Sequence, residues 1–356
     1  MSEHSKNHPT DAARSRRILV TGATGFLGQH VVATLREQGR EVVALVRNPD
    51  SADARRVAKT GAILVRGDIL DGDSVRAALE QHPCTALLHC AGKVSRHGRD
   101  AIEMTKVNVG GVETTLAAAK QAGVTRVIVA STSGTIGVGT DPDAVADETT
   151  PAPLELINKW PYYRSKHYGE QIALGFDADG FEVVIVNPAL LLGPGDYQGS
   201  STEDVRRALE QRMPLVPSGG YAFVDARDAA EGMVLALDKG KHGRRYLLVS
   251  CNCPIRTFFS RVARVAGIDG PVFALPDHDV VERATRWLVR KAQTVLGEDD
   301  SLPDAASIEM AQHYWYVDST LAENELGWRP RDPMVTLADT VADLRARGVV
   351  MMGKAD

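Results

Sequence analysis

Five short apolar runs recur along the first half of the chain, and polar stretches with helical periodicity separate them. The runs cover residues 18–20, 41–46, 62–65, 86–90 and 126–130. Short uninterrupted apolar runs are typical of strands that are buried on both faces of a sheet. Strands that alternate with helices in this way predict an α/β fold built on a doubly wound parallel sheet.

A glycine-rich turn follows the first apolar run, and a helical pattern follows the turn. Residues 21–28 read TGATGFLG. In a Rossmann-type fold the first glycine of such a turn allows a tight bend, the second admits a pyrophosphate, and the third lets the helix pack on the strand. The free N–H groups of the helix then face the anion. A turn that binds nothing is the alternative. The predicted cofactor contacts are Gly22, Thr24, Gly25, Phe26, Leu27 and Gly28.

The end of the second run bears on the choice of cofactor. Enzymes that select NAD commonly carry an acidic residue here, which holds the ribose hydroxyls. This chain has Val46 and then Arg47, with no carboxylate at the tip. A guanidinium suits a 2′-phosphate, because it can form two parallel hydrogen bonds with it. We therefore predict NADP, with NAD as the second choice; a solvated Arg47 in a surface loop is the alternative.

Hydroxyl and basic side chains follow the fifth run in an order that predicts acid–base chemistry. The run ends in Ser131-Thr132-Ser133, at the edge where ligands of parallel sheets bind. Tyr162 and Lys166 are four apart, so on a helix they share one face. A nearby ammonium lowers a tyrosine pKa from about 10, and the Thr132 hydroxyl can hold a substrate oxygen. Tyrosine and lysine on one helix face are common, so the pair alone is a weak signal.

Three further segments are candidates for the site. Small residues at Ala91 and Gly92 leave room for a cofactor beside the backbone. Lys93 opens a loop that either meets the substrate or is simply solvated, and Ser133 is the second substrate candidate. Asn108 lies inside a predicted helix over 102–122, where asparagine is disfavoured. It either bonds a backbone carbonyl or a water chain, or belongs to a polar face.

Composition narrows the classes of partner. The net charge is −5, which gives no reason to expect nucleic acid or an anionic membrane. No apolar run is long enough to span a bilayer, and residues 1–15 read as a disordered polar tail without a signal peptide. The four cysteines favour buried thiols in a reducing, cytoplasmic protein. Cys251-Asn252-Cys253 has no partner motif, so we predict no metal site.

The motifs together resemble those of the extended short-chain dehydrogenase/reductase superfamily, which includes NAD(P)-dependent epimerases and dehydratases. LVRNP after the second run and VNPALLLGPGD after the sixth resemble its branch of dihydroflavonol reductases, 3β-hydroxysteroid dehydrogenases and hopanoid-associated epimerase-like proteins. The matching segments are 21–28, 67–69, 107–111, 131–133, 162–166, 186–196, 223–237 and 326–330.

This resemblance implies roles for individual residues. The catalytic hydroxyl falls on Thr132, the tyrosine on Tyr162, the lysine on Lys166, and the asparagine of the family on Asn108. Adenine is expected to contact Asp68 and Ile69, and the cofactor to pass Pro188. The resemblance also implies a homodimer through helices 102–122 and 162–176.

Departures from two other branches are informative. Dehydratases of nucleotide sugars carry Asp-Glu after the threonine, whereas this chain has Ser133-Gly134. Epimerases of UDP-sugars tend to carry an Arg-Tyr-Phe-Asn type of strand where this chain has Val-Ile-Val-Asn-Pro at 184–188. The first departure removes the acid–base pair that elimination uses in that branch, and the second speaks against a nucleotide-sugar substrate without excluding it.

The last third departs from simple alternation of strands and helices. Helices are expected at 203–212 and from Phe223 onward. We predict a dinucleotide-binding domain over 16–187 plus 223–250, and a smaller, discontinuous substrate-binding lobe over 188–222 plus 251–356. Residues 280–296 form a basic amphipathic pattern, which indicates either a lobe helix or contact with a membrane surface. Trp287 and the Trp315 region either line the substrate cavity or belong to the core.

We therefore predict an NADP(H)-dependent oxidoreductase that interconverts a secondary alcohol and a ketone of a small-molecule substrate. A sugar or nucleotide-sugar epimerase would use the same residues for transient oxidation, but would leave the cofactor pool unchanged. A dinucleotide-sensing protein without catalysis is the alternative of another class; loss of the tyrosine and lysine would indicate it, and this chain keeps both.

Overall fold

The computed structural model describes residues 17–95, 98–211, 215–270, 273–274 and 305–350. The predicted tail 1–15, the basic amphipathic pattern at 280–296 and Trp287 all lie outside these ranges. In the described part of the chain, no helix has the length and apolar character that crossing a membrane requires.

A seven-stranded sheet forms the centre of the fold and confirms the Rossmann-type doubly wound architecture. All neighbouring strands are parallel, and their order is β3-β2-β1-β4-β5-β6-β10. The chain reverses direction across the sheet between β1 and β4, which is where ligands of such sheets bind. The strands are β1 Ile18–Thr21, β2 Val42–Val46, β3 Ile63–Arg66, β4 Ala86–His89, β5 Arg126–Ala130, β6 Glu182–Pro188 and β10 Arg245–Leu248.

Helices cover both faces of this sheet, because the strands are apolar on both sides. On one face α1 packs against α9, and on the other α3, α5 and α7 pack side by side. Their cores are separate clusters of Val, Leu, Ile and Ala side chains. The helices are α1 Phe26–Glu37, α2 Ala52–Ala58, α3 Gly72–Gln81, α4 Ala101–Thr105, α5 Gly111–Gln121, α6 Leu154–Ile157, α7 Pro161–Gly175, α8 Glu203–Leu209 and α9 Ala226–Lys239.

A second, smaller lobe covers the carboxyl edge of the sheet. It contains a three-stranded sheet in the order β11-β9-β7 and a β12–β8 pair. An apolar cluster of its own, including Phe223 and Phe258, holds it together. Its elements are β7 Leu190–Leu192, β8 Leu215–Val216, β9 Gly220–Asp225, β11 Cys251–Pro254, β12 Phe273–Ala274, α10 Ile255–Ala266, α11 Ala305–Met310 and α13 Pro333–Ala346. The remaining helix, α12 Thr320–Leu326, packs on α9 and β10 of the large sheet.

Two predicted element boundaries are wrong, and a third element has the predicted bounds to within one residue but contains a π-helical turn. Phe223 lies in strand β9, and the helix begins only at Ala226, where the Asp225 carboxylate caps it by accepting a hydrogen bond from the Arg227 N–H. Helix α8 ends at Leu209, before the expected residue 212. The predicted helix over 102–122 is interrupted by a π-helical turn, Lys106–Gly110.

Candidate active site

A cavity of about 760 Å³ lies at the carboxyl edge of the large sheet, between the sheet and the smaller lobe. Both lobes contribute to its walls. The structure brings all of the sequence-predicted site residues to this cavity, although their individual roles stay predictions. They are Gly22, Thr24, Gly25, Phe26, Leu27, Gly28, Arg47, Asp68, Ile69, Ala91, Gly92, Lys93, Asn108, Thr132, Ser133, Tyr162, Lys166 and Pro188.

The glycine turn has no room for a side chain at Gly22 or Gly28. Gly22 has φ +66°, and a Cβ there would lie 2.4 Å from the backbone N of Ala91. A Cβ on Gly28 would lie 2.1 Å from the Gly22 carbonyl oxygen. Gly25 precedes α1 and supplies no side-chain cap, so the first N–H groups of that helix face the cavity unused. These features fit the pyrophosphate of a dinucleotide.

The tips of β2 and β3 form the far end of this cradle. Arg47 follows Val46, is exposed, and forms no ion pair within the described part of the chain. The Asp68 carboxylate accepts a hydrogen bond from the Leu70 N–H at 2.9 Å, while the Asp68 N–H donates to the Ser74 hydroxyl at 2.9 Å. The Asp68 loop is thus fixed in place, whereas the guanidinium beside it is available to a ligand.

The candidate acid–base group lies at the opposite end of the cavity. Tyr162 lies in the first turn of α7, close to the Thr132 side chain. Burial raises the pKa of Tyr162 above its usual value, a neighbouring Tyr163 adds to the increase, and the Thr132 side chain partly offsets it. The predicted lowering of the Tyr162 pKa is therefore not found, and the group is a protonated phenol at neutral pH.

Lys166 accounts for this difference. Its ammonium group donates to the Ala130 carbonyl oxygen at 2.7 Å, and no hydrogen bond joins it to Tyr162. Burial lowers the pKa of Lys166 to about 8, and the nearby Glu170 carboxylate opposes that change. The lysine is thus a buried cation at neutral pH that lies beside the end of β5.

Glu170 is a part of this site that the sequence analysis missed. It lies four residues after Lys166 on α7 and is 1% exposed. One of its carboxylate oxygens accepts hydrogen bonds from Ser131, from Thr135 at 2.8 Å and from the Asn187 amide at 2.6 Å. These partners lie on both sides of Thr132 and on β6. The i, i+4, i+8 spacing of Tyr162, Lys166 and Glu170 was a signal that could have revealed it.

Asn108 lies in the π-helical turn and is 1% exposed. Its amide donates to the Lys93 carbonyl at 2.9 Å and is 2.9 Å from the Ser165 hydroxyl, while its oxygen accepts from the Lys93 N–H at 2.8 Å. A Cβ on Gly92 would be 3.2 Å from that oxygen. Asn108 thus fixes the loop after β4 against α7, which is a positioning contact and not the polar helix face considered above.

The part of the cavity beyond Tyr162 has a charged rim. Lys93 lines the cavity, but its ammonium group is paired with the Glu103 carboxylate at 2.5 Å. Ser133 also lines it and is buried. Asp204 contributes a carboxylate to which the Tyr221 hydroxyl donates at 3.3 Å.

An aromatic wall, defined here as Trp160, Tyr163 and Trp315, borders the same region. The ring centroids of Tyr163 and Trp315 are 4.7 Å apart, and those of Trp160 and Trp315 are 5.4 Å apart. A Cβ on Gly134 would lie 2.3 Å from the Tyr163 ring and 2.9 Å from the Trp315 ring. Both rings therefore press directly on the turn that carries Thr132. Trp315, which was expected either in the cavity or in the core, lines the cavity and also belongs to a buried apolar cluster. Trp160 and Tyr163 were not predicted at this site.

A dinucleotide cradle at the reversal point of a parallel sheet, with a tyrosine and a lysine at its other end, defines the class of NAD(P)-dependent oxidoreductases. The family comparison gives the narrower assignment. A family model described as "NAD dependent epimerase/dehydratase family" matches residues 18–248. The chain belongs to this family, within the extended short-chain dehydrogenase/reductase superfamily, whose members are enzymes.

Individual relatives include reductases and epimerases. A protein named "Putative dihydroflavonol 4-reductase" from Synechocystis is 33% identical over 337 residues, which cover 93% of this chain and 95% of the relative. A structure titled "Crystal structure of gox2253" has 29% identity and a TM-score of 0.81, and covers 95% of this chain and 100% of that one. A UDP-glucose 4-epimerase from Thermus thermophilus, in complex with NAD, has 22% identity and a TM-score of 0.72 over 92% and 99%; it supports the fold alone.

Proposed function

We propose that the protein is an NADP(H)-dependent oxidoreductase that interconverts a ketone and a secondary alcohol. One observation supports this proposal most directly. The Tyr162 phenol interacts with the Thr132 side chain in the same cavity that holds the glycine cradle and the buried Lys166. These groups supply a proton donor, an oxygen-holding hydroxyl and a positive charge within one cavity.

A reduction follows from the properties of these side chains. When bound, the nicotinamide supplies a hydride for the carbonyl carbon. Thr132 donates a hydrogen bond to the carbonyl oxygen, and Tyr162 gives that oxygen its phenolic proton. The buried Lys166 ammonium places a positive charge in the cavity where the transfer leaves a tyrosinate. Because burial raises the pKa of Tyr162, the phenol carries the proton that the carbonyl oxygen requires at neutral pH.

The choice of NADP rests on Arg47. Its guanidinium lies at the tip of β2, lines the cavity and forms no ion pair with another described residue. An unengaged guanidinium at this position suits a 2′-phosphate. The family is described as NAD-dependent. Recognition of the 2′-phosphate that distinguishes NADP from NAD is therefore what this proposal adds.

The rim of the cavity favours a carbonyl substrate over a nucleotide sugar. Cations near its two phosphates would help to hold a nucleoside diphosphate, but Lys93 is already paired with Glu103 at 2.5 Å, which leaves Lys106 as the other lysine of this rim. Asp204 adds a negative charge, and the aromatic wall offers apolar faces. The epimerase alternative keeps the same catalytic groups, and the non-catalytic alternative has no need of a buried lysine and a half-buried tyrosine in one cavity.

The division into two lobes is also kept as a proposal. The proposed dinucleotide-binding domain covers 16–187 plus 223–250, and the proposed substrate lobe covers 188–222 plus 251–356. The pairing of the strands follows this division except at β9. That strand, Gly220–Asp225, pairs with β7 and β11 of the smaller sheet across the proposed boundary.

The test is substitution of the proposed proton donor. The protein is assayed for NADPH consumption with a panel of ketones, steroids, flavonoids and nucleotide sugars. Tyr162→Phe should bind NADPH with unchanged affinity, while turnover falls by roughly 100- to 10,000-fold. Tyr168→Phe, at an exposed position of the same helix, is the matched control and should behave as the wild type.

Three results would contradict the proposal. Substantial activity in Tyr162→Phe would remove this tyrosine as the acid. Conversion of a sugar to its epimer without net NADPH consumption would instead favour the epimerase. Tight NADPH binding by both the wild type and Tyr162→Phe, with no turnover of any compound by either protein, would favour the dinucleotide-sensing protein.

A further inference from the structure

Two cysteines lie outside the cavity on strand β11 of the smaller lobe. Cys251 and Cys253 are separated by one residue, so they face the same side of the strand. In the antiparallel register Cys251 is opposite Phe223, and Cys253 is opposite Tyr221. Phe223 and Cys253 belong to the apolar cluster under α10. The proposed catalytic chemistry uses neither thiol.

An arginine on the next helix contacts the first of these thiols. The Arg261 guanidinium donates a hydrogen bond to the Cys251 sulfur at 3.2 Å. No carboxylate of the described residues pairs with Arg261. Most arginines of this structure face an acidic partner, such as Arg40 with Asp238. Arg261 instead contacts the Cys251 sulfur, and its positive charge favours the thiolate form of Cys251.

The two cysteines differ in exposure. Cys251 is half-buried and reachable from solvent, whereas Cys253 is buried. The neighbouring Cys253 thiol and Arg261 lower the pKa of Cys251, while burial opposes them; the neighbouring Cys251 and burial raise the pKa of Cys253. Cys251 is therefore the member of the pair that ionises, with a cation and a thiol donor around it.

The other two cysteines provide an internal contrast. Cys84 donates to the His82 carbonyl, and Cys90 lies 3.9 Å from the Met233 sulfur. Burial raises the pKa of each to about 12. Neither contacts a guanidinium in the part of the chain that the structure describes, so both are inert thiols.

We propose that Cys251 is a modification site at which a hydroperoxide oxidises the thiolate to sulfenic acid. The sulfur attacks the terminal oxygen of the peroxide, an S–O bond forms and the O–O bond breaks. Sulfur is oxidised by two electrons and the peroxide is reduced to an alcohol or water, whose proton comes from solvent. Arg261 stabilises the attacking thiolate. Among the described residues, no three His, Cys, Asp or Glu side chains converge as a set of metal ligands.

The site is tested on the full-length protein with hydrogen peroxide, followed by dimedone, which traps sulfenic acids. Peptide mass spectrometry should find the dimedone adduct on Cys251 and not on Cys84 or Cys90. Arg261→Gln should slow the labelling by about tenfold, the effect of one pKa unit. The control Arg264→Gln changes an arginine of the same helix that contacts the Met334 sulfur, and should label like the wild type.

Two outcomes would overturn the proposal. One is dimedone labelling of the wild type that is as strong on Cys84 and Cys90 as on Cys251. This measurement does not depend on the folding of any variant. The other is an unchanged labelling rate in Arg261→Gln at near-neutral pH. Cys251→Ser should abolish the adduct and leave NADPH consumption intact, because the thiol lies outside the cavity.

Discussion

The two ends of the cavity differ in the groups that form their walls. The cofactor end, defined by Gly22, Gly25 and Gly28, is shaped by backbone and by the absence of side chains. The catalytic end, defined by Tyr162, Lys166 and Glu170 with their partners, is a network of buried polar side chains. The first consists of neighbours in sequence, whereas the second joins α7 to β5 and β6.

This difference determines how each end fails. A site made of close backbone contacts has no space for an added atom, so the smallest side chain disrupts it. A buried polar network keeps its shape when one charge is replaced by an isosteric neutral group, but its electrostatics change. Substitutions at the cofactor end should therefore affect binding, and those at the catalytic end should affect rate and pH dependence.

Gly22→Ala should give the largest effect. The new Cβ would lie 2.4 Å from the Ala91 backbone, and a left-handed conformation costs a non-glycine residue about 1–2 kcal/mol. We expect NADPH affinity to fall by on the order of 100-fold, as measured by fluorescence titration. Gly39→Ala is the matched control, since Gly39 has φ +74° with nothing within 4 Å. Equal affinities in the two variants would show that strain alone, and not the close approach, matters.

Glu170→Gln should give an intermediate effect that appears in the pH profile. The reduction rate of the wild type should fall above about pH 8, where Lys166 loses its proton. The Glu170 carboxylate raises the pKa of Lys166, so its neutralisation should move this decline to lower pH and reduce turnover by about tenfold. NADPH affinity should change little.

Glu113→Gln, at an exposed position of α5, is the control for this experiment. A decline that stays at the same pH in Glu170→Gln, or a change confined to thermal stability, would assign Glu170 a structural role alone.

Arg47→Gln should give the smallest effect. Loss of the guanidinium should reduce the preference for NADPH over NADH by roughly tenfold, the contribution of one charge-assisted contact. The ratio of the two kcat/KM values measures it. Arg66→Gln changes an exposed arginine at the tip of the neighbouring strand, outside the cavity, and should leave that ratio unchanged. An unchanged ratio in Arg47→Gln would exclude Arg47 as the selector.

The sheet was predictable because its information is local. Each strand is a short apolar run, and the turn after β1 carries the glycines that its geometry requires. The start of α9 was misjudged for the same reason. Phe223 and Val224 are apolar and fit either a strand or a helix, and only pairing with β7 and β11 decides for the strand. Asp225, a good N-cap, marked the true boundary.

The catalytic end was predictable only in part. Tyr162 and Lys166 follow from their spacing and from the order of motifs. The protonation of Tyr162 does not, because it depends on burial and on the turn of Lys166 toward Ala130. Glu170 shares the helical spacing of Tyr162 and Lys166, but the hydroxyl and amide groups that it binds lie at the ends of two strands, and only the folded structure brings them together.

The missing side chain of Gly134 has a stereochemical consequence. Tyr163 and Trp315 press directly on the turn that carries Thr132, so a flat carbonyl compound stacked on them can present its oxygen to Tyr162 in one orientation. Hydride would then arrive at a single enantioface. Chiral chromatography of the product alcohol should find one enantiomer in large excess, and Gly134→Ala, which displaces both rings, should erode that excess.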